Sequence, residues 1–142
     1  MDRIEVGCAA TALQFGNDGI VTASFSGLVL PSNLAALAVP VMRIGAARGA
    51  RALLYTGARA ALCFDAAVAT AMYPTLEPGL RALPVAFVVN SSQAQLYRQV
   101  VQRAGAAGLL RGVFYSEFEA REWLARNLRL LAANQAWWAL RG

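Results

Sequence analysis

Two short segments near the start of the chain flank a tight turn. Residues 19–26 (GIVTASFS) alternate in polarity, as the side chains of a half-buried strand do. They follow residues 17–19 (NDG), a strong turn sequence, and residues 5–15 precede the same turn. The pattern therefore predicts a β-hairpin formed by residues 5–15 and 19–26.

Three more apolar runs predict strands further along the chain. Residues 51–55 (RALLY) and 84–90 (PVAFVVN) are apolar without alternation, which is typical of parallel strands buried on both faces. Thr56-Gly57 predicts the end of the first of these strands. Residues 112–115 (GVFY) predict a last, short strand.

The segments between these strands predict helices. Residues 31–33 (PSN) open one in which apolar residues recur at helical spacing, and Pro40 inside it predicts a kink or the loss of a turn. Residues 63–72 predict a second helix, and residues 73–83 predict a broken helical connection after it. Ser91 or Ser92 predicts the N-cap of a third helix.

The final helix has the clearest pattern in the sequence. Residues 116–119 (SEFE) form a capping box, which predicts the start of a helix at this point. Its apolar stripe consists of Ala120, Trp123, Leu124, Leu128 and Leu131. The stripe predicts that this helix lies on the sheet.

The resulting order, β-β-α-β-α-β-α-β-α, predicts the fold class. Alternation of strands and helices is typical of an α/β protein. We expect a single mixed, mostly parallel sheet of about five strands covered by helices. Residues 1–142 are predicted to form one domain, with residues 132–142 as an extension of the C-terminal helix.

Composition narrows the classes of function. The chain has 142 residues, of which 58% are hydrophobic and 15% charged, as expected of one globular domain. Its net charge is +5, and all 13 basic residues are arginines. The arginines are scattered singly and do not form the basic stripe that a nucleic-acid partner needs. The absence of histidine excludes catalytic triads and metal sites built on imidazole.

The cysteines and the longest uncharged segment bear on location. Cys8 and Cys63 lie far apart without a CxxC spacing, which predicts reduced, buried thiols in a cytosolic protein. The first residues carry acids where an export signal would carry cations. The uncharged residues 19–42 contain serines, glycines and prolines that predict a strand, a turn and a helix start. We therefore expect a cytoplasmic protein without membrane insertion.

The element order and residues 113–124 (VFYSEFEAREWL) resemble the STAS-like superfamily, in its SpoIIAA-like (STAS/Sec14-type) group. In that group a final strand delivers an acidic turn, and a helix with an Ala-x-x-Trp-Leu pattern packs on the sheet. The resemblance implies a SpoIIAA-like fold and a bacterial regulatory or protein-interaction module. It covers residues 4–131.

The chain departs from the phosphoswitch branch of that superfamily. That branch carries an Asp-Ser-Ser-Gly stretch with a phosphorylatable serine at a helix start, whereas residues 62–67 here read LCFDAA. The kinase-controlled switch therefore does not carry over. Asp65 lies close to the serine position, which leaves two interpretations: a partner-binding carboxylate that mimics the modified state, or a plain helix cap.

Two other segments are candidate binding sites. Asn90, Ser91 and Ser92 follow a predicted strand, so their backbone N–H groups either hold a small anionic ligand or simply cap a helix. Trp137 and Trp138 stand beyond the predicted core stripe and pack either on their own domain or on a partner. Because the first helix also has an alanine-rich face, we favour a homodimer.

Groups for catalysis do not form a recognisable set. The candidates are Asp18, Asp65, Glu77, Ser91, Ser92 and the two cysteines. None forms a recognisable pair, so we predict no catalytic site, no metal and no cofactor. The sequence favours a non-enzymatic regulatory or interaction module that binds a protein partner or itself. A small-ligand module for a lipid or nucleotide is the alternative, and an enzyme ranks third.

Overall fold

A six-stranded mixed sheet forms the centre of the computed structural model, which describes residues 2–65, 67–69 and 83–141, without the side chains of residues 2, 138, 139 and 141. The strands are β1 (Asp2–Val6), β2 (Ala9–Phe15), β3 (Ile20–Val29), β4 (Ala52–Leu62), β5 (Val85–Val88) and β6 (Arg111–Phe114). They stand in the sheet in the order of the sequence. The first three pair antiparallel and β3 to β6 pair in parallel, which confirms the α/β class with a mixed sheet.

The predicted hairpin strand over residues 5–15 is wrong in one respect, because it is two strands. Gly7 has a φ of 60°, a left-handed conformation that glycine adopts without strain, and the chain reverses at Gly7-Cys8. Residues 2–6 then pair with β2 as an additional edge strand. The sheet has six strands for this reason, not about five.

Strand β4 is twice as long as predicted. It continues through Thr56-Gly57 to Leu62, and the register with β3 shifts between Ser24 and Ser26. Thr56 pairs with Ser24 and Arg59 with Ser26, so β4 supplies one residue more than β3 at this point. A β-bulge of this kind lets a strand continue past a glycine, and the predicted end at Gly57 is therefore wrong.

Three helices are described: α1 (Pro31–Ala47), α2 (Ala94–Ala106) and α3 (Glu117–Arg141). Helix α1 runs through Pro40 without a break, and at its start the Asn33 side chain accepts a hydrogen bond from the Leu30 N–H at 2.8 Å. Ser116 accepts the Glu119 N–H at 3.4 Å, which confirms the predicted start of α3. Of the predicted helix over 63–72, residues 67–69 are helical, and residues 66 and 70–82, Glu77 among them, lie outside the described residues.

Alternate residues of the strands build a core on each face of the sheet. On one face Val21, Phe25, Leu53 and Tyr55 are buried with Leu37 and Val41 of α1. On the other face Ile20, Leu54, Ala86 and Val88 are buried with Ala120 and Leu124 of α3. Helices α1 and α3 therefore cover opposite faces.

Both cysteines are free and exposed, so their predicted burial is wrong. Cys8 lies in the β1–β2 turn and Cys63 directly follows β4, and neither position faces a core. The uncharged residues 19–42 divide into β3 and the first part of α1, as predicted. Within the described ranges, no helix is long and apolar enough to cross a membrane.

Candidate functional site

The parallel strands β3 to β6 end at one edge of the sheet. In open α/β sheets, ligands bind at this carboxyl edge. Asp65 lies three residues beyond β4, and Asn90, Ser91 and Ser92 lie just beyond β5. The fold thus brings two of the three predicted site segments to the same edge.

Two side-chain amides seal the exposed edge of β4 at this place. Strand β5 pairs with β4 only from Leu53 to Thr56, so no strand among the described residues covers the next residues on that side. The buried Gln93 amide donates to the carbonyl of Gly57 at 2.7 Å and to that of Ala60 at 3.0 Å. The Asn90 amide donates to the carbonyl of Ala58 at 3.2 Å. The amides thereby replace the missing ladder hydrogen bonds.

The same two residues also organise the start of α2. The Asn90 side-chain oxygen accepts the Ser92 hydroxyl at 2.6 Å and the Gln93 N–H at 3.1 Å. The Gln93 side-chain oxygen accepts the Asn90 N–H at 3.2 Å. The side-chain oxygen at this helix start comes from Asn90, so the predicted serine N-cap is wrong. Asn90 and Ser92 are engaged within the protein, and Ser91 is exposed.

Sequence reasoning missed Gln93, the most deeply embedded polar residue of this edge. Nothing in the sequence separates it from Gln95, Gln99 and Gln102, which are exposed on α2. Its role depends on the β4 bulge, to which it is joined across more than thirty residues of chain. The only sequence signal is its position directly before a helix.

We expect Gln93→Leu to destabilise the protein, because the carbonyls of Gly57 in the bulge and of Ala60 just beyond it would lose their donor while remaining covered. The expected loss is about 2 kcal/mol of unfolding free energy, measured by urea denaturation. Gln95→Leu, an exposed neighbour on the same helix, is the matched control and should change stability by less than about 0.5 kcal/mol. Equal losses in the two variants would contradict the sealing role.

A row of four aromatic rings crosses the α1 face of the sheet beside these amides. Ring centroids lie 5.4 Å apart for Phe25 and Tyr55, 5.8 Å for Tyr55 and Phe87, and 4.9 Å for Phe87 and Tyr97. Burial raises the pKa of Tyr97 to about 12, so its phenol stays protonated at neutral pH. The row of rings links β3, β4 and β5 to α2. A phenol that stays protonated does not act as a general base.

Asp65 caps the helical turn that follows β4. Its side chain accepts the Val68 N–H at 3.0 Å, and its carbonyl accepts the Ala69 N–H at 3.1 Å. The carboxylate is exposed, and it does not converge with Asn90. Asn90 bonds to Ala58, four residues before the end of β4, which corresponds to roughly 13 Å of strand.

A pair of variants separates the charge of Asp65 from its capping oxygen. Asp65→Ala should lower the unfolding free energy by about 1 kcal/mol, whereas Asp65→Asn should lose only a few tenths, because asparagine is an equally good N-cap. Thermal unfolding measures both. If Asp65→Asn retains stability but loses a protein partner in a binding assay, the partner-facing interpretation holds. Unchanged binding by both variants would leave only the cap.

The predicted partner-binding tryptophans lie on the part of α3 that extends beyond the sheet. Trp137 has 48% of its surface exposed, and the side chain of Trp138 lies outside the described residues. Leu131, predicted in the buried stripe, is 40% exposed, because the contacts of α3 with the second core end at Leu128. Leu130 and Leu140 are 57% and 89% exposed.

A cavity of about 300 Å³ lies at the opposite, amino edge of the parallel strands. It is lined by Asp18, Ile20, Arg51, Ala125, Leu128, Arg129 and Ala132. Its floor is apolar, two arginines flank it, and the Asp18 carboxylate accepts the Ile20 N–H at 3.0 Å. The predicted ligand residues Asn90, Ser91 and Ser92 are not in its lining.

Comparison with protein-family models and with curated proteins gives no match for this chain. The structure does show how the segment that carries the STAS-like resemblance packs. Ala120 and Leu124 are buried against the sheet, and the rings of Trp123 and Phe114 lie 5.4 Å apart. Across the described residues, no group of three potential metal ligands comes together.

Proposed function

We propose that this chain is a non-enzymatic regulatory or protein-interaction module of the STAS-like type. The observation that carries the proposal is the far half of α3, residues 130–141. Its described leucines and Trp137 are exposed, although they continue a helix whose first half is anchored in the core. Tryptophan and exposed apolar clusters are enriched at protein–protein contacts.

The contacts of the polar residues at the carboxyl edge of the sheet support the same proposal. Asn90, Ser92 and Asp65 hold helix starts, and Gln93 holds the β4 bulge. A catalytic group has to be within reach of substrate and paired with a second group, and these side chains are instead bonded to backbone or to one another. The proposal includes a bacterial, cytoplasmic setting, which rests on the STAS-like resemblance.

A small-ligand binding module is the second candidate, and the amino-edge cavity favours it. Its volume of about 300 Å³ is at the lower end for ligand pockets. Arg51 and Arg129 beside an apolar floor suit a ligand with an anionic group and an apolar body. This candidate predicts a bound molecule in purified protein.

Native mass spectrometry of the gently purified full chain separates the two candidates. The interaction module predicts species heavier than the 15.1 kDa chain by the mass of another protein or a second copy. A 15.1 kDa monomer carrying a molecule of a few hundred daltons would instead support the ligand module. A variant with Leu130→Ser and Trp137→Ser should lose the heavier species, whereas the exposed control Gln99→Ser on α2 should keep them.

A further inference from the structure

Strand β1 leaves one edge of the sheet open. Its inner edge pairs with β2 over residues 2–6 in a continuous register, and among the described residues no other strand lies along its outer edge. Natural proteins often block such an edge with a proline or a bulge. The sequence of β1, DRIEV, contains no proline, and its register with β2 contains no bulge. The outer edge of β1 is therefore able to accept a further strand.

The hydrogen bonds of β2 determine which backbone groups of β1 point outward. At the start of β2, the Cys8 carbonyl accepts the Leu28 N–H of β3 at 3.4 Å. Successive residues of a strand bond to opposite sides, so even-numbered residues of β2 bond to β3 and odd-numbered ones bond to β1. Those odd-numbered residues face the even-numbered residues of β1. The N–H and C=O groups of Arg3 and Glu5 consequently point outward.

Arg3 and Glu5 also carry opposite charges on one face of β1. The Arg3 Nε donates to the Glu5 carboxylate at 2.8 Å, and both side chains are more than half exposed. An antiparallel copy of β1 with its two-fold axis at Ile4 would place Arg3 of each copy opposite Glu5 of the other. Each facing pair would exchange two backbone hydrogen bonds, because these are the residues whose backbone groups point outward. Opposite charges at facing positions stabilise paired strands.

The charges select this register over the others. An axis at Arg3 or at Glu5, or a parallel copy in register, would set like charges directly against each other, which opposes pairing. The opposite edge of the sheet, β6, contains no acidic residue, so two β6 strands offer no opposite charges in any register. An unrelated extended peptide would need a matching alternation of charges, whereas a second copy of β1 supplies it by symmetry.

The other face of β1 fits the same pairing. Ile4 is half-buried and packs, together with Val6, against the core that α1 covers. An axis at Ile4 makes the two Ile4 residues a non-hydrogen-bonded pair, in which facing Cα atoms lie about 4.5 Å apart. The two isoleucine side chains would then cover each other, which removes apolar surface from water.

We infer that β1 pairs antiparallel with β1 of a second copy, with the two-fold axis at Ile4, so that the two six-stranded sheets become one. Helix α3 packs on β4, β5 and β6, so the far half of α3 that carries the proposed function is a separate surface. Small contacts are typical of weak complexes. We therefore expect this pair at protein concentrations above those used in native mass spectrometry.

An exchange of charges tests the register by sedimentation equilibrium. Every chain carries Leu130→Ser and Trp137→Ser, so that α3 does not contribute to association. Arg3→Glu or Glu5→Arg alone should raise the dimer dissociation constant at least tenfold, because each sets like charges opposite each other. An equal mixture of these two variants should restore the dimer as a heterodimer, which a folding defect would prevent. Arg103→Glu, an exposed arginine on α2, is the matched control and should leave the constant unchanged.

Disulfide cross-linking tests the position of the axis. The background also carries Cys8→Ser and Cys63→Ser, because both thiols are exposed and free. Ile4→Cys should form a disulfide-linked dimer on mild oxidation, since the facing residues of a non-hydrogen-bonded pair lie within disulfide reach. Val6→Cys should link at least tenfold more slowly, because the two copies of residue 6 would lie about 13 Å apart along the strands.

The inference and the proposed function can fail separately. Val6→Cys dimers that form as fast as Ile4→Cys dimers would show a parallel pair and overturn the inference. A mixture of the charge variants that stays monomeric would overturn it too, as would β1 amides that gain protection from hydrogen exchange only when another protein is added. Those results leave the proposed function standing. The proposed function fails instead if Leu130→Ser with Trp137→Ser alters no complex of the unmodified chain.

Discussion

Gly27→Ala is expected to cause the largest loss of stability of the changes considered, about 4 kcal/mol of unfolding free energy. Gly27 has a φ of 80°, a left-handed conformation that costs a residue with a Cβ about 1–2 kcal/mol. A Cβ there would also overlap the Cys8 carbonyl oxygen and lie 3.2 Å from the Cα of Ala9. These are backbone atoms of the β1–β2 turn and of the first residue of β2, which cannot rotate away as a side chain does.

Gly49→Ala is the matched control for this change. Gly49 has a φ of 70°, and nothing lies within 4 Å of the position where its Cβ would stand. The Gly49→Ala variant should lose only the unfolding free energy that the left-handed conformation costs an alanine, about 1–2 kcal/mol. Urea unfolding of both variants measures the difference. If the two losses were equal, the close approach of the β1–β2 turn to β3 would have no energetic consequence, contrary to the structure.

Leu124→Ala is expected to cost about 3 kcal/mol, because it leaves a cavity in the core between α3 and the sheet. Leu124 is fully buried with Ile20, Leu54 and Val88, all of which belong to secondary structure that cannot easily collapse into the space. The same change should loosen α3, which is anchored on this face. Hydrogen exchange of the α3 amides should therefore increase together with the loss of stability.

Leu140→Ala tests whether the loss depends on burial. Leu140 belongs to the same helix but is 89% exposed, so its truncation should change the unfolding free energy by less than about 0.5 kcal/mol. Both variants are measured by denaturant titration at low protein concentration, where self-association contributes least. A loss at Leu140 as large as that at Leu124 would mean that the far half of α3 is packed on its own domain.

The two halves of α3 differ in their surroundings. The first half completes the core through Ala120 and Leu124, and the second extends past the sheet with its leucines and Trp137 exposed. An anchored helix presents its far residues in a defined direction, which lowers the entropy lost on docking.

The hydrophobic pattern and the capping residues were sufficient to predict those helices and strands whose sequence signals are local. Ser116 predicts the start of α3, and the structure confirms it with a hydrogen bond to the third residue of the cap. The alternation of residues 19–26 predicts β3, whose residues face two different cores. The first part of the α3 stripe, through Leu128, is also confirmed, because its periodicity matches the helix that buries it.

The predictions from sequence are wrong where contacts with residues distant along the chain decide the local conformation. A turn at Gly7-Cys8 has no flanking apolar alternation strong enough to separate β1 from β2. The two strands are defined by the pairing of β2 with β3 and of β1 with β2. Gly57 predicts an end to β4, but Asn90 and Gln93 supply donors that let the strand continue. Cys8 and Cys63 are exposed because the turn and strand end that carry them lie outside both cores.

By itself, the sequence determined the α/β class, the order of the described strands and helices after the first hairpin, the start of α3 and the lack of any histidine-based chemistry. Those properties follow from local periodicity, capping and composition. Only the tertiary structure decided the sixth strand, the amide seal on β4, the position of the cavity and the point at which the α3 stripe leaves the sheet. Each of these depends on contacts between residues that are distant along the chain, and no local pattern encodes where such residues meet.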